Sequence, residues 1–332
     1  MDLVSWHPKA SVFHDRGWLE ALTRTYGFEP FAITTTEPGR PLCNGLVFCR
    51  ISSWITGERT VSLPFSDHCE PLLSDPSELP EFVAWLCQDC DQRGLNYFEL
   101  RPLPGREIPD HRLVPSQSYC FHTLDLNRSL EVIFGGLHKD SIQRRIRRAS
   151  RARLSYEVGR SQELIDSFYR LLILTRRRHH MPVQPAAWFR NLIDCMGENL
   201  QISVARKDNL SIAGILRLQH GSTVVYKYGC TDEKYHYVGA MPFLFWKLIE
   251  ASKKLGATEI DFGRSDLTNQ GLIKFKNRFG TTQNQITYFR YPRAENRKLI
   301  PRWAVRALGP IWLSLPPAVM PTIGGVIYKH LG

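Results

Sequence analysis

One stretch, residues 223–280, limits most sharply what this chain can fold into. It opens with Thr223-Val224-Val225-Tyr226-Lys227-Tyr228-Gly229, a run of β-branched and aromatic residues that predicts a strand. A polar loop follows from Cys230 to Tyr237. Val238-Gly239-Ala240-Met241-Pro242 then leads into an amphipathic run to Leu255, and Gly256 is placed to stop that helix. Thr258 to Gly263 supplies a second apolar strand. Short apolar runs of this kind, bounded by glycine, suit the middle of a sheet. Arg264-Ser265-Asp266 and the stretch Asn269 to Gly280 come directly after. Charged groups just past the carboxyl end of a strand are where open α/β sheets place ligands.

The rest of the chain extends this pattern. Strands are expected at Phe31 to Thr35, Leu42 to Ile51, Thr60 to Leu63, Tyr97 to Arg101 and Tyr119 to Leu126. Helices are expected at Ser11 to Tyr26 and Pro80 to Gly94, each ended by a glycine. Beyond a boundary near Leu126 to Ser129, the order is a helix over 130–153, a strand over 154–158 and helices over 162–180 and 186–196. Strands follow over 200–206 and 211–219, then the central stretch and a last strand, Gln285 to Tyr291. Strands alternating with helices in this way predict an α/β fold with a mixed sheet. The 332 residues allow two domains, each with its own core.

Several classes are set aside. No apolar run reaches the length of a spanning helix, and Met1 to Ser11 does not read as a signal peptide. Eight cysteines at irregular positions do not make a disulfide framework, so the cytosol is the simple expectation. Cys87-x-x-Cys90 has no second pair and lies in a helical pattern, which makes it a chance spacing. There is no Gly-x-Ser-x-Gly, no phosphate loop and no dinucleotide fingerprint.

Charge is concentrated. Residues 127–178 hold thirteen Arg or Lys against five acids, a net of +8 out of +11 for the whole chain. The densest part is the expected helix with Arg144, Arg145, Arg147 and Arg148. Such a face is either a solvated surface or a site for a polyanion. The loop Pro64 to Pro71 carries Asp67, His68, Cys69 and Glu70. Its ligand types mix hard and soft, and no second cluster completes a metal site. It reads as a substrate-binding loop, whose carboxylates would hold an amine or sugar hydroxyls, or as a structural turn. Residues 293–332 are apolar, basic and broken by prolines. This tail is expected either to pack on the first domain, through Trp303, Ile311, Trp312 and Leu313, or to lie on an anionic membrane.

Around the central stretch, the topology places Tyr226, Lys227, Tyr228 and His236 at one cleft as substrate-binding candidates, with Arg264 and Asp266. Asp261, Arg264 and Asp266 each stand where a side chain orients a nucleophile or joins a structural ion pair; a carboxylate there also accepts a proton. Gly239 and Ala240 open a helix whose free N–H groups suit a phosphate.

Gly271-Leu272-x-x-Phe275-Lys276-x-x-Phe279-Gly280, following Asp261-Phe262-Gly263, resembles the Fem family of peptidoglycan aminoacyltransferases and its FemAB-like relatives. Lys227-Tyr228-Gly229 and the basic helix Asp140 to Ala149 extend the likeness, which covers roughly residues 10–292. Within that family the chain looks most like the proteins that accompany exosortase and exopolysaccharide loci. The resemblance implies two tandem GNAT-like domains, over 1–126 and 127–292, ahead of the tail. It implies transfer of an acyl or aminoacyl group to an amine or hydroxyl of a cell-envelope precursor. In the family the donor is aminoacyl-tRNA; the alternative is acyl-CoA, and no tightly bound cofactor or DNA partner is expected. The Val238-Gly239-Ala240 loop departs from the Gly-rich acyl-CoA signature, which agrees with the tRNA donor. The resemblance puts Phe275 and Lys276 at the transition state, where a fixed cation stabilises an oxyanion by roughly 3 to 4 kcal/mol. A protein of the same fold that only binds a membrane or RNA is the reading outside enzymes.

Overall fold

The computed structural model describes residues 2–105, 108, 110–292 and 319–331. They fall into two compact units: one holds the chain to Tyr119, the strand segment from Gln285 and the C-terminal residues from Gly325; the other contains Cys120 to Asn284.

In the first unit, β1 (Glu29–Ile33) pairs antiparallel with β2 (Leu46–Ile51), and β2 with β3 (Arg59–Val61). Helix α1 (Leu3–Trp6) is one turn. Helix α2 (Arg16–Tyr26) begins at Asp15, whose side chain accepts from the Gly17 N–H, and ends at Gly27 with φ +68°. Helix α3 (Leu79–Arg93) ends at Gly94 with φ +67°, and the chain turns into β4 (Tyr97–Leu100), parallel to β3. Both glycines sit where a left-handed residue must close the helix. Cys87 and Cys90 face inward from α3 into an apolar cluster with Phe82, Phe98 and Leu100, so their spacing serves packing.

The chain leaves this unit within β5 (Val114–Asp125) and returns within β11 (Thr282–Pro292), whose later residues pair antiparallel with β4. There Glu99 is buried between two guanidinium groups, Arg101 at 2.8 Å and Arg290 at 2.7 Å. Burial alone would raise its pKa, but the two arginines hold the carboxylate below its ordinary range.

The second unit carries β6 (Ser155–Gly159), β7 (Leu200–Lys207), β8 (Leu210–His220) and β9 (Thr223–Thr231), paired antiparallel in that order. Helices α6 (Gln162–Arg178) and α7 (Ala186–Met196) lie between β6 and β7 in sequence. The expected helix over 130–153 is two helices, α4 (Leu130–Gly136) and α5 (Arg144–Arg151), with one π-turn, Lys139–Gln143, leading into α5. Helix α8 (Ala240–Lys254) crosses to β10 (Glu259–Asp266), which is parallel to β9. Residues 270–277 form α9 (Gln270–Asn277), started by the Asn269 side chain, which accepts from the Leu272 N–H at 3.1 Å.

Trp303, Ile311, Trp312 and Leu313 lie outside the described residues. Helix α10 (Met320–Leu331), which the prolines concealed, is described, and its last turn is tied into the first unit. The His330 carbonyl accepts from Arg59 Nη2 at 2.9 Å and Thr56 Oγ1 at 3.0 Å, while His330 Nδ1 meets Ser53 Oγ at 2.9 Å. No helix among the described residues is long and apolar enough to cross a membrane. Removing residues 319–332 takes away the carbonyl that satisfies the buried Arg59. It should lower unfolding free energy by at least about 2 kcal/mol, read by urea denaturation. An unchanged midpoint would show that α10 is not part of the folded core.

Candidate functional site

The site begins where two strands separate. Parallel β9 and β10 pair through Thr223–Glu259, Val224–Ile260 and Val225–Asp261. Beyond that point β9 runs on to Thr231 and β10 to Asp266 with no shared register. Tyr226, Phe245 and Phe262 fill the beginning of the gap: Tyr226 lies 4.6 Å from the Phe245 ring, and Phe245 stacks on Phe262 at 5.1 Å. A bulge adds to the divergence. Leu216 opposes Tyr228 and Arg217 opposes Tyr226, which leaves Lys227 without an opposite residue on β8.

The cavity opened there has a volume of about 280 Å³, near the lower end for a small-ligand site. Its lining joins β9 (Tyr226, Gly229, Thr231) to the start of α8 (Gly239, Ala240, Met241), with Phe275 from α9. Gly229 is required because a Cβ would lie 2.1 Å from the Tyr226 hydroxyl. Gly239 has φ +85°, and a Cβ there would stand 2.7 Å from the Arg145 carbonyl. The turn into α8 is therefore pressed against the basic helix, and only glycine permits the approach. The first turn of α8 leaves the Ala240 and Met241 N–H groups without helical acceptors, and Pro242 has none to offer.

Cations converge on this helix end. Arg145 lines the cavity from α5, and Arg178 and His179 line it from the end of α6. His180 has φ +54°, and Met181 N–H donates to the Arg176 carbonyl at 2.9 Å as His180 N–H does to Arg177 at 3.0 Å. That left-handed cap stops α6 with Arg178 at the cavity. Arg178 lies 3.4 Å from His236 Nε2, which also meets Thr231 Oγ1 at 2.8 Å. Burial first, then Arg178, lowers the pKa of His236; burial and Arg178 with Arg176 do the same for His179. Both rings are neutral at pH 7. Burial raises the Tyr226 pKa, so its phenol stays protonated.

The structure brings Tyr226, His236, Gly239, Ala240, Arg145 and Phe275 to one cavity. The other basic-helix arginines diverge. Arg144 pairs with Asp140 at 3.1 Å, Arg147 lies over the Phe134 ring, and Arg148 donates to the Tyr237 carbonyl at 3.0 Å. Arg178 and His179 escaped the sequence reading, although the run Arg176 to His180 was its signal.

Other candidates stand elsewhere. Lys276 is 2% exposed, and its ammonium donates to the Gly263 carbonyl at 2.9 Å and Arg264 carbonyl at 3.1 Å. It is not the open cation expected of an oxyanion donor; it ties α9 to the end of β10. Asp261 is buried and accepts from the Gly263 N–H at 2.5 Å, and Asp266 accepts from Thr268 ahead of α9. Arg264 is half-buried and does not line the cavity. Tyr228 turns to the opposite face, where its hydroxyl accepts from Trp188 Nε1 at 3.0 Å, and Lys227 sits at the bulge. In the first unit, His68 is buried edge-on to Phe13, and Glu70 is buried with its carboxylate accepting from the Leu103 N–H at 2.7 Å. The Asp67 carbonyl accepts from the Tyr288 hydroxyl. Interior packing holds His68 and a hydrogen bond holds Glu70, so of the two readings of this loop, substrate-binding loop or structural turn, these two residues fit the structural turn.

A family profile described as an acetyltransferase (GNAT) domain matches residues 138–276. A comparison with curated proteins gives no match. Among solved structures, FemX superposes with a TM-score of 0.66 at 12% identity, over 88% of this chain and 94% of its own. A C-terminal domain assigned to a lysylphosphatidylglycerol synthetase of Agrobacterium fabrum gives 0.58 at 15% identity, over 87% and 89%. A tandem GNAT protein from the clavulanic acid biosynthesis pathway gives 0.53 at 9%, over 81% and 85%. At these identities the likeness is one of fold, and the fold is a tandem GNAT fold.

Two substitutions test this geometry. Gly239→Ala should cost about 1 to 3 kcal/mol through strain and the clash with Arg145, measured by thermal unfolding. Lys276→Met should lower stability by roughly 2 kcal/mol, because two carbonyls lose their donor. An unaltered melting temperature in the second variant would return Lys276 to the role of an unengaged cation.

Proposed function

We propose that this protein is an acyltransferase whose donor places a phosphate between the start of α8 and Arg145 and Arg178, and whose acceptor is an amine or hydroxyl of a cell-envelope component. The observation that carries the reading is the convergence of two arginines and a helix N-terminus on a cavity between diverging strands. A helix start and guanidinium groups together favour a phosphate. The fold likenesses to FemX and to a domain assigned to a lysylphosphatidylglycerol synthetase support the acceptor class.

The chemistry is attack of a nucleophile on an ester or thioester carbonyl. His236, neutral and at the cavity, accepts the proton of the attacking amine or hydroxyl. A bond forms from that nitrogen or oxygen to the carbonyl carbon, and the bond to the donor's oxygen or sulfur breaks. The proton that His236 accepts passes to the departing oxygen or sulfur, and Tyr226, which burial keeps protonated, is a hydrogen-bond donor at the same cavity. Lys276 acts as a positioning residue by holding the end of β10.

Aminoacyl-tRNA is the donor we favour. The turn before α8 supplies few free N–H groups, because Gly239 is its single glycine and Pro242 has no N–H. That suits separate phosphodiesters better than a pyrophosphate. Arg144, Arg147 and Arg148 are exposed on the same helix as Arg145 and extend the cationic surface. Purified protein should transfer a labelled amino acid from aminoacyl-tRNA to a lipid-linked or peptide amine. Arg145→Gln and Arg178→Gln should each reduce kcat/KM about tenfold and flatten its salt dependence. Transfer from acyl-CoA alone would overturn the donor, and no transfer from either would overturn the enzyme reading.

The acid limb of kcat/KM should lie below the ordinary histidine range, because a His236 with a lowered pKa remains a base to lower pH. His236→Gln should remove that limb and reduce the rate by about a hundredfold. A limb unchanged in the variant would assign the base elsewhere.

A further inference from the structure

The loop between β2 and β3 holds Trp54 almost wholly in solvent, at 86% exposure. The loop is fixed. Ser53 Oγ accepts from the Ile55 and Thr56 N–H groups at 3.2 and 2.9 Å and meets His330 of α10 at 2.9 Å. The Trp54 ring meets the His330 ring edge-on at 5.5 Å. An indole held outward on a tied loop contributes little to the core of its own unit. Val326, 56% exposed, and Lys329 lie within one turn of His330 on α10, a helix with no acidic residue.

A pocket of about 600 Å³ shares Lys329 with this surface and reaches Ser52, two residues before Trp54. Four cations, Arg50, Arg59, Arg93 and Lys329, line it against two acids, Glu29 and Glu58. Arg50 lies over the Phe31 ring at 4.4 Å, and its buried Nε has no hydrogen-bond partner among the described residues. The pocket therefore offers cationic donors to a phosphate beside an exposed indole and an exposed aliphatic side chain. Tryptophan with lysine or arginine at its side is the pairing found where headgroups meet acyl chains. Single-stranded RNA would also use the cations and the indole, but Val326 and the acid-free helix favour a lipid surface.

We propose that the Trp54 loop and the last turn of α10 dock on an anionic lipid surface, with the adjoining pocket receiving a lipid phosphate. The inference rests on the first unit alone and does not depend on the acyltransferase reading. The test is sedimentation of the full chain with vesicles of phosphatidylcholine, with and without phosphatidylglycerol. Partition should require phosphatidylglycerol and fall with salt, because the basic side chains act within a Debye length. Trp54→Ala and Lys329→Gln, both at exposed positions, should each weaken it about tenfold with no change in melting temperature. Absence of partition into phosphatidylglycerol vesicles, or variants that bind as well as the parent, would overturn the proposal. So would variants that lose single-stranded RNA while retaining vesicles.

Discussion

Parallel β9 and β10 share a register for three residue pairs and then diverge, and the candidate site follows from that divergence. A sheet that stops pairing exposes backbone and needs something to fill the gap. Here the aromatic group Tyr226, Phe245 and Phe262 fills its base, while Phe275 and Phe279 pack against Phe245 from the side of α9. The bulge at Lys227 adds local twist to β9. The mouth of the gap then meets the start of α8, where Gly239 allows the Arg145 backbone to come close. Tight packing and an open cavity lined by Arg145 and Arg178 are thus two results of one local geometry.

Much of this frame was legible in the sequence. The strand from Thr223, the helix closed by Gly256 and the start of the strand near Thr258 stand where apolar runs and glycines predict them, but that strand runs on to Asp266, so Arg264, Ser265 and Asp266 lie within it and not past its end. The join between α4 and α5 was not, because the periodic pattern continues across Gly135-Gly136 while the backbone breaks there. Helix α9 was not legible either. Eight residues give too short a period to decide, and the Asn269 cap decides it locally.

The site was legible by residue type more than by orientation. Strict alternation puts Tyr226 and Tyr228 on one face, yet the extra residue at the bulge sends them to opposite faces, one to Phe245 and the other to Trp188. Lys276 stands in a motif that suggests an exposed cation, but α9 turns it under β10. Asp67, His68 and Glu70 look like ligands because of their chemistry, whereas burial determines what His68 and Glu70 do. Arg178 depends on a left-handed cap at His180; the sequence ends the helix there but does not show which way its last arginine faces.

The central claim is that the N-terminus of α8 receives a donor phosphate. Amide resonances of Ala240 and Met241, observed with selective nitrogen labelling while a short aminoacylated RNA hairpin is added, test it directly. Saturable downfield shifts of both amide protons are expected, as for N–H groups that gain an anionic acceptor. Resonances that stay fixed while the hairpin binds would contradict it.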